Sequence, residues 1–211
     1  MEEKKLYVLS YVRLTDRCLI VDGNVVLENT YDDTKQWISS IYKNIGMDYP
    51  KFFKMDRLCK VGTLCAEAAM RKSGFQNDDI KKNWAVICAN SAGSLDDDRS
   101  YQETIQHDDN YFPSPSVFVY TLANIVTGEI AIRHKIQGES SCYVAQKFDA
   151  NAFINAVSDL FLFTPAEYAL AGWVDYDSAH CDVLMLVVSK KSTNSEAMTS
   201  HELSNVYAKQ R

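Results

Sequence analysis

No stretch of this 211-residue sequence is apolar for the roughly 20 residues that a membrane-spanning helix requires. The longest apolar runs, Phe161–Phe163 and Val183–Val188, suit a buried helix end and a buried strand. Paired thiolates are missing too. The six cysteines (Cys18, Cys59, Cys65, Cys88, Cys142 and Cys181) show no CxxC spacing, so neither a zinc nor an iron–sulfur site is expected. They read instead as small buried hydrophobes in a reducing compartment. Basic surface is scarce: a formal net charge of −6 leaves no face to neutralise phosphates, which excludes nucleic acid as the main partner. Lys81-Lys82 and Lys190-Lys191 read as solvated surface, and Asp96-Asp97-Asp98 as a solvated loop without the spacing of a calcium-binding hand. The opening Met1-Glu2-Glu3-Lys4-Lys5 runs straight into a strand-like segment, with no signal peptide, so the expected location is the cytoplasm. Repeats, linkers and cofactor motifs are not seen.

What is present is the balance of a globular domain, 46% hydrophobic and 24% charged, long enough to bury a core. Leu6–Leu14 alternates as a strand, and Thr34 to about Gly46 has helical spacing. In Arg57–Lys72 the apolar residues Leu58, Val61, Leu64, Cys65, Ala68 and Ala69 recur every three or four positions, between Asp56 and Gly74. Trp84–Ala89 reads as a strand covered on both faces. Asn90–Asp98 reads as a loop and Thr104–Gln106 as part of a short helix. Phe118–Ile136 reads as a helix in which Gly128 implies a close packing contact, since glycine costs about 1 kcal/mol there. Ser140–Val144 is strand-like, and Asp149–Phe163 is a helix apolar nearly all round. Tyr168–Val174 and Cys181–Ser189 form a hairpin, because so short a link forces antiparallel neighbours. The expected fold is α/β, with a five-stranded mixed sheet, mostly parallel with its last strand antiparallel, and helices on both faces. One domain would span 1–190, with a polar tail over 191–211.

Several segments, in order, carry a resemblance. Asp56-Arg57-Leu58 through Ala69 resembles the Arg-rich helix after the first strand of β-ketoacyl synthases. Pro115–Asn124 and Ile130–Gly138 resemble the family's asparagine, Ala-Ile-Arg and glycine segment. Gly138-Glu139-Ser140-Ser141 resembles the lead-in to the nucleophile strand, and Ala169-Leu170-Ala171-Gly172 the end of the next strand. The likeness runs from Leu6 to Lys190 and implies the N-terminal half of a thiolase-like fold. It further implies a nucleophilic cysteine where the nucleophile strand meets the buried helix, whose positive end lowers a thiol's pKa. Counting from Gly138, that position is Lys147, or Gln146 with a shift of one; neither forms a thioester. Glutamine there resembles chain-length factors, the silent partners of type II polyketide synthases, and short relatives belong to aryl-polyene-type pathways. The family's two catalytic histidines come from a C-terminal half outside this sequence.

The candidate pocket residues are Phe118, Asn124, Cys142, Gln146, Lys147 and Phe148. Cys142 is the nearest alternative nucleophile, read first as a buried strand cysteine. Asn124 orients backbone near the pocket or caps a helix. Lys147 pairs with Asp149, meets an anionic partner group or reaches solvent. His134 reads as a surface or capping residue; His107 and His180 lie in loops without a nucleophile elbow. The helix over Asp149–Phe163 would expose Phe153, Ile154, Leu160 and Phe161 unless covered. A second copy or a full-length ketosynthase would cover it, docked through this helix or through Ser140–Val144; the polar tail is the weakest of the covers. Acyl carrier protein is a further candidate partner. The resemblance therefore implies a catalytically silent subunit that pairs with an active synthase. The alternatives are a stand-alone acyltransferase or thioesterase using Cys142, and a non-catalytic homodimer that binds acyl carrier protein or lipid.

Overall fold

The computed structural model describes residues 4–75, 79–177, 180–192 and 196–208. The chain lays down β1 (Leu6–Thr15), β2 (Cys18–Val21), β3 (Asn24–Glu28), α1 (Thr34–Asn44), α2 (Arg57–Lys72), β4 (Trp84–Asn90), α3 (Leu95–Glu103) and α4 (Pro115–Phe118). It continues with α5 (Ile125–His134), β5 (Ser140–Val144), α6 (Ala150–Phe163), β6 (Tyr168–Asp177), β7 (His180–Ser189), β8 (Glu196–Met198) and α7 (Ser200–Ala208). One sheet holds all the strands in the order β3-β2-β1-β7-β6-β4-β5, with β8 paired to the start of β1.

The α/β class with helices on both faces is as expected, but the sheet has eight strands rather than five. Among the strand pairs, β4 runs parallel to its two neighbours and the rest are antiparallel. The hairpins cause this. β6 and β7 pair from Tyr168–Ser189 to Asp177–His180, and β2 and β3 turn back through Asp22 and Gly23, at φ 46° and 79°. Positive φ at both central residues is the turn that suits twisted strands.

Strand alternation divides the core. Val183, Met185 and Val187 of β7 face α1, α2 and α5, whereas Leu184, Leu186 and Val188 face α6 and α7. β1 changes sides: Leu6 and Val8 lie toward α6, yet Val12 and Leu14 lie toward α2. A bulge between Val8 and Ser10 makes the switch, because one extra residue inverts every side chain after it. Arg13 is thereby turned onto the α7 side, where it is 1% exposed.

Other segments depart from the sequence reading. Asn90–Asp98 is loop only at first, since α3 begins at Leu95, and Thr104 caps its end. Phe118–Ile136 is two helices, not one: the chain bends by 98° between Pro115–Thr121 and α5. Gly128 has open space around it, and the close approach is at Gly62 instead. α6 is buried on one side only, although its apolar residues run nearly all round it. Phe153, Ile154, Leu160 and Phe161 are buried against the sheet, while Leu162 and Phe163 stay exposed. The polar stretch after Lys191 supplies β8 and α7, which places Met198, Leu203 and Tyr207 in the same core as α6. The cover judged weakest from sequence is thus the one that forms, because two well-placed apolar residues suffice to dock a short helix.

Candidate functional site

The loop from β5 to α6 crosses the C-terminal ends of the parallel strands, where α/β sheets place their ligands. Asp149 starts α6 by accepting from the Ala152 amide at 2.9 Å, and the Ala145 amide donates to the Asn90 carbonyl at 2.9 Å. Under this loop lies a cavity of about 290 Å3. Ile87 and Ala89 of β4, Tyr143 of β5 and Trp173 of β6 line it from the sheet, and Ala152, Phe153 and Ala156 from α6. Lys147 and Phe148 enter from the loop. The Phe148 ring contacts Phe153 at 5.7 Å, Trp173 at 6.1 Å and Tyr207 at 4.4 Å. The buried Trp173 indole N–H has no hydrogen-bond partner among the described residues, so an acceptor brought into the cavity would relieve its desolvation.

The expected pocket residues separate into two groups. Lys147 and Phe148 line the cavity; Gln146 is exposed and does not. Lys147 forms no ion pair with Asp149 or any other described residue, and is exposed. Cys142 is in register with Cys88 and shares its side of the sheet, opposite α6. Its thiol donates to the Ala123 carbonyl at 3.2 Å, and burial pushes its pKa up, away from a thiolate. Cys88 borders the cavity, with its thiol raised further by the same cause. Asn124 is exposed at the start of α5, where its carbonyl, not its side chain, accepts from the Thr127 and Gly128 amides. Phe118 is exposed on α4, 5.3 Å from the Tyr101 ring. Sequence reasoning did not place Tyr143, Trp173 or Tyr207 at the pocket: Tyr143 lines the cavity from the strand just before the loop and Trp173 from β6, and Tyr207 meets Phe148 from α7.

The histidines offer no acid or base here. His134 is not on the surface but fully buried on α5, and burial lowers its pKa to about 4, leaving it neutral. His180 is exposed beside Asp16 at 3.0 Å. A separate polar cluster forms where α3 meets the start of α2. Asp56 caps α2 by accepting from the Leu58 and Cys59 amides, Asp96 faces Arg57 at 3.4 Å, and burial beside Asp56 raises Asp97 to about 8. An open groove of about 570 Å3 lies between β3 and α1, lined by Lys35, Ser39, Ser40 and Lys43, with the two serine hydroxyls donating to the Lys35 and Trp37 carbonyls of α1.

Comparison with known proteins fits this geometry. The ishigamide ketosynthase/chain length factor superposes with a TM-score of 0.63 at 11% identity, covering 90% of this chain and 63% of that one. A ketosynthase in complex with its chain length factor from Xenorhabdus doucetiae gives 0.57 at 12% identity, covering 90% and 80%. A β-ketoacyl synthase from Burkholderia phymatum STM815 gives 0.59 at 11%, covering 97% and 62%. The chain thus spans about three fifths of the first and third of these, and at such identities the likeness establishes the fold. No curated protein matches in sequence. The family profile of the β-ketoacyl synthase N-terminal domain matches residues 40–200. By that match across most of its length, the chain belongs to the β-ketoacyl synthase family and carries the family's N-terminal domain.

Proposed function

We propose that this domain is a catalytically silent ketosynthase-like subunit that pairs with an active β-ketoacyl synthase and shapes its acyl pocket, in fatty acid, polyketide or aryl-polyene-type synthesis. One observation carries the reading. The loop at the start of α6, where the family resemblance puts the nucleophile, offers Lys147 to the cavity and no thiol of its own. Cys142, the nucleophile that a stand-alone acyltransferase or thioesterase would need, lies on the other side of the sheet with its pKa raised. The pairing edge is β5. It ends the sheet, so one side of its backbone is unpaired, and Phe118, Val119, Leu122, Tyr143 and Val144 are exposed. An open strand edge with exposed apolar side chains is a docking surface. The structural neighbours include ketosynthase–chain length factor complexes.

The test is affinity capture of the tagged protein from its own organism, followed by intact-mass identification. A stoichiometric full-length ketosynthase is expected, lost with Val144→Lys, a change at a 60% exposed position that leaves the core intact. A clean homodimer, or elongation of an acyl chain by the isolated protein, would overturn the reading. The apolar cavity favours one second reading, a homodimer that holds an acyl chain or lipid without chemistry; native mass spectrometry would then find retained acyl ligand.

A further inference from the structure

We propose that α7 is a latch on the Phe148 wall of the cavity, and that this wall gives way and the cavity widens when α7 lifts. This goes beyond the pairing reading and does not depend on it. α7 is nine residues long, too short to persist as a helix away from its dock. It sits beside α6 on the sheet through Leu203 and Tyr207. Thr199 and Glu202 start it with reciprocal hydrogen bonds: the Thr199 amide donates to Glu202 Oε2 at 2.7 Å, and the Glu202 amide donates to Thr199 Oγ1 at 3.3 Å. Its far end is closed by one clasp. Arg13, turned inward by the bulge in β1, donates from Nε to the Tyr207 carbonyl at 3.2 Å and stacks over the Tyr207 ring at 4.6 Å. The same guanidinium pairs with Asp182 at 2.5 Å, and the Tyr207 hydroxyl donates to the other Asp182 oxygen.

Phe148 joins the clasp to the cavity. Phe148 lines the cavity and stacks on Tyr207 at 4.4 Å with an interplanar angle of 30°. While α7 is seated, Phe148 is held between Tyr207 on one side and Phe153 and Trp173 on the other. When α7 lifts, Phe148 loses one of its supports and is free to swing out of the cavity wall. The sheet strands need no contact from α7 to stay paired, so the opening is local.

Amide hydrogen exchange on the whole chain, read by mass spectrometry for wild type, Tyr207→Phe and Phe148→Ala, tests this. Tyr207→Phe keeps the ring and removes the hydroxyl that donates to the Asp182 carboxylate. Exchange over 199–208 and over the loop and first turn 146–156 should then accelerate together, about tenfold, with β4, β6 and β7 unchanged. Phe148→Ala, made from the cavity side, should accelerate 199–208 as well. Acceleration of 199–208 alone in Tyr207→Phe would show that the Phe148 wall holds independently of α7 and would overturn the latch. Equal acceleration in every strand would show that α7 belongs to the global core, and would overturn it too.

Discussion

A methyl group added at Gly62 would meet Val126 Cγ2 at 2.7 Å and Val174 Cγ1 at 3.1 Å, whereas one added at Gly128 would meet nothing within 4 Å. Gly62→Ala should therefore cost about 1–3 kcal/mol through overpacking between α2, α5 and β6. Gly128→Ala should stabilise by up to about 1 kcal/mol, since only helix propensity and chain entropy change. Urea unfolding of the two variants beside wild type gives both signs at once. Sequence spacing pointed to Gly128 because helix propensity is a local signal. The contact at Gly62 is made by residues far along the chain and leaves no local trace. Asp97 makes a second case. Burial, then Asp56, Asp96 and Asp98, raise its carboxyl to about 8, well above its unfolded value, with Arg57 nearby on Asp96. Its contribution to stability is complete below the unfolded carboxylate range and is lost as pH rises toward 8 and through it. Asp97→Asn should flatten that part of the stability-versus-pH curve and raise the thermal midpoint at pH 8.5.

Between elements, α2 and α5 are tied by a charge buried under both. Burial alone would push the Glu67 carboxyl up; the hydrogen bonds and charge of Arg133, with Arg71, outweigh it and hold the carboxyl below its usual range. That contribution is present above the unfolded carboxylate range and is lost as pH falls through the depressed value. Glu67→Gln leaves Arg133, itself 15% exposed, without its counter-charge, at a cost of roughly 3–5 kcal/mol. Calorimetry should show a large drop in midpoint at pH 7 that narrows under acid. Which elements were legible follows from how much apolar pattern each carries. α2 and the β6–β7 hairpin have strong periodicity and turn residues, and α2 begins and ends where its spacing predicts. α3 buries no residue, and α7 buries only Leu203 and Tyr207, so neither shows an amphipathic stripe. The Asp22-Gly23 pair is a local hairpin signal, since both residues take positive φ. At the site, counting from Gly138 reaches Lys147 or Gln146, and of these two Lys147 lines the cavity. Trp173 and Tyr207 come from β6 and α7, and only the topology brings them beside Phe148.

At the scale of the molecule, the two sheet ends differ. β3 ends one side with Val25 and Val26 exposed, and β5 ends the other with Tyr143 and Val144 beside the apolar turn Phe118–Leu122. Occupation of the β5 end by a ketosynthase would protect its backbone, so amides 140–144 should exchange more slowly in the purified complex than in the free chain, while those of 24–28 should not change. The bulged strand β1 has a consequence of another kind. It lies inside the sheet between β2 and β7, and β8 closes its first residues. A ribosome delivers β2 directly after β1, but β7 only about 165 residues later, and β8 later still. At about 5–20 residues per second, one edge of β1 therefore waits on the order of ten seconds or more for its partner. During that interval the nascent chain carries an unfilled, apolar strand edge, and it is then, rather than in the finished protein, that this domain most needs a chaperone.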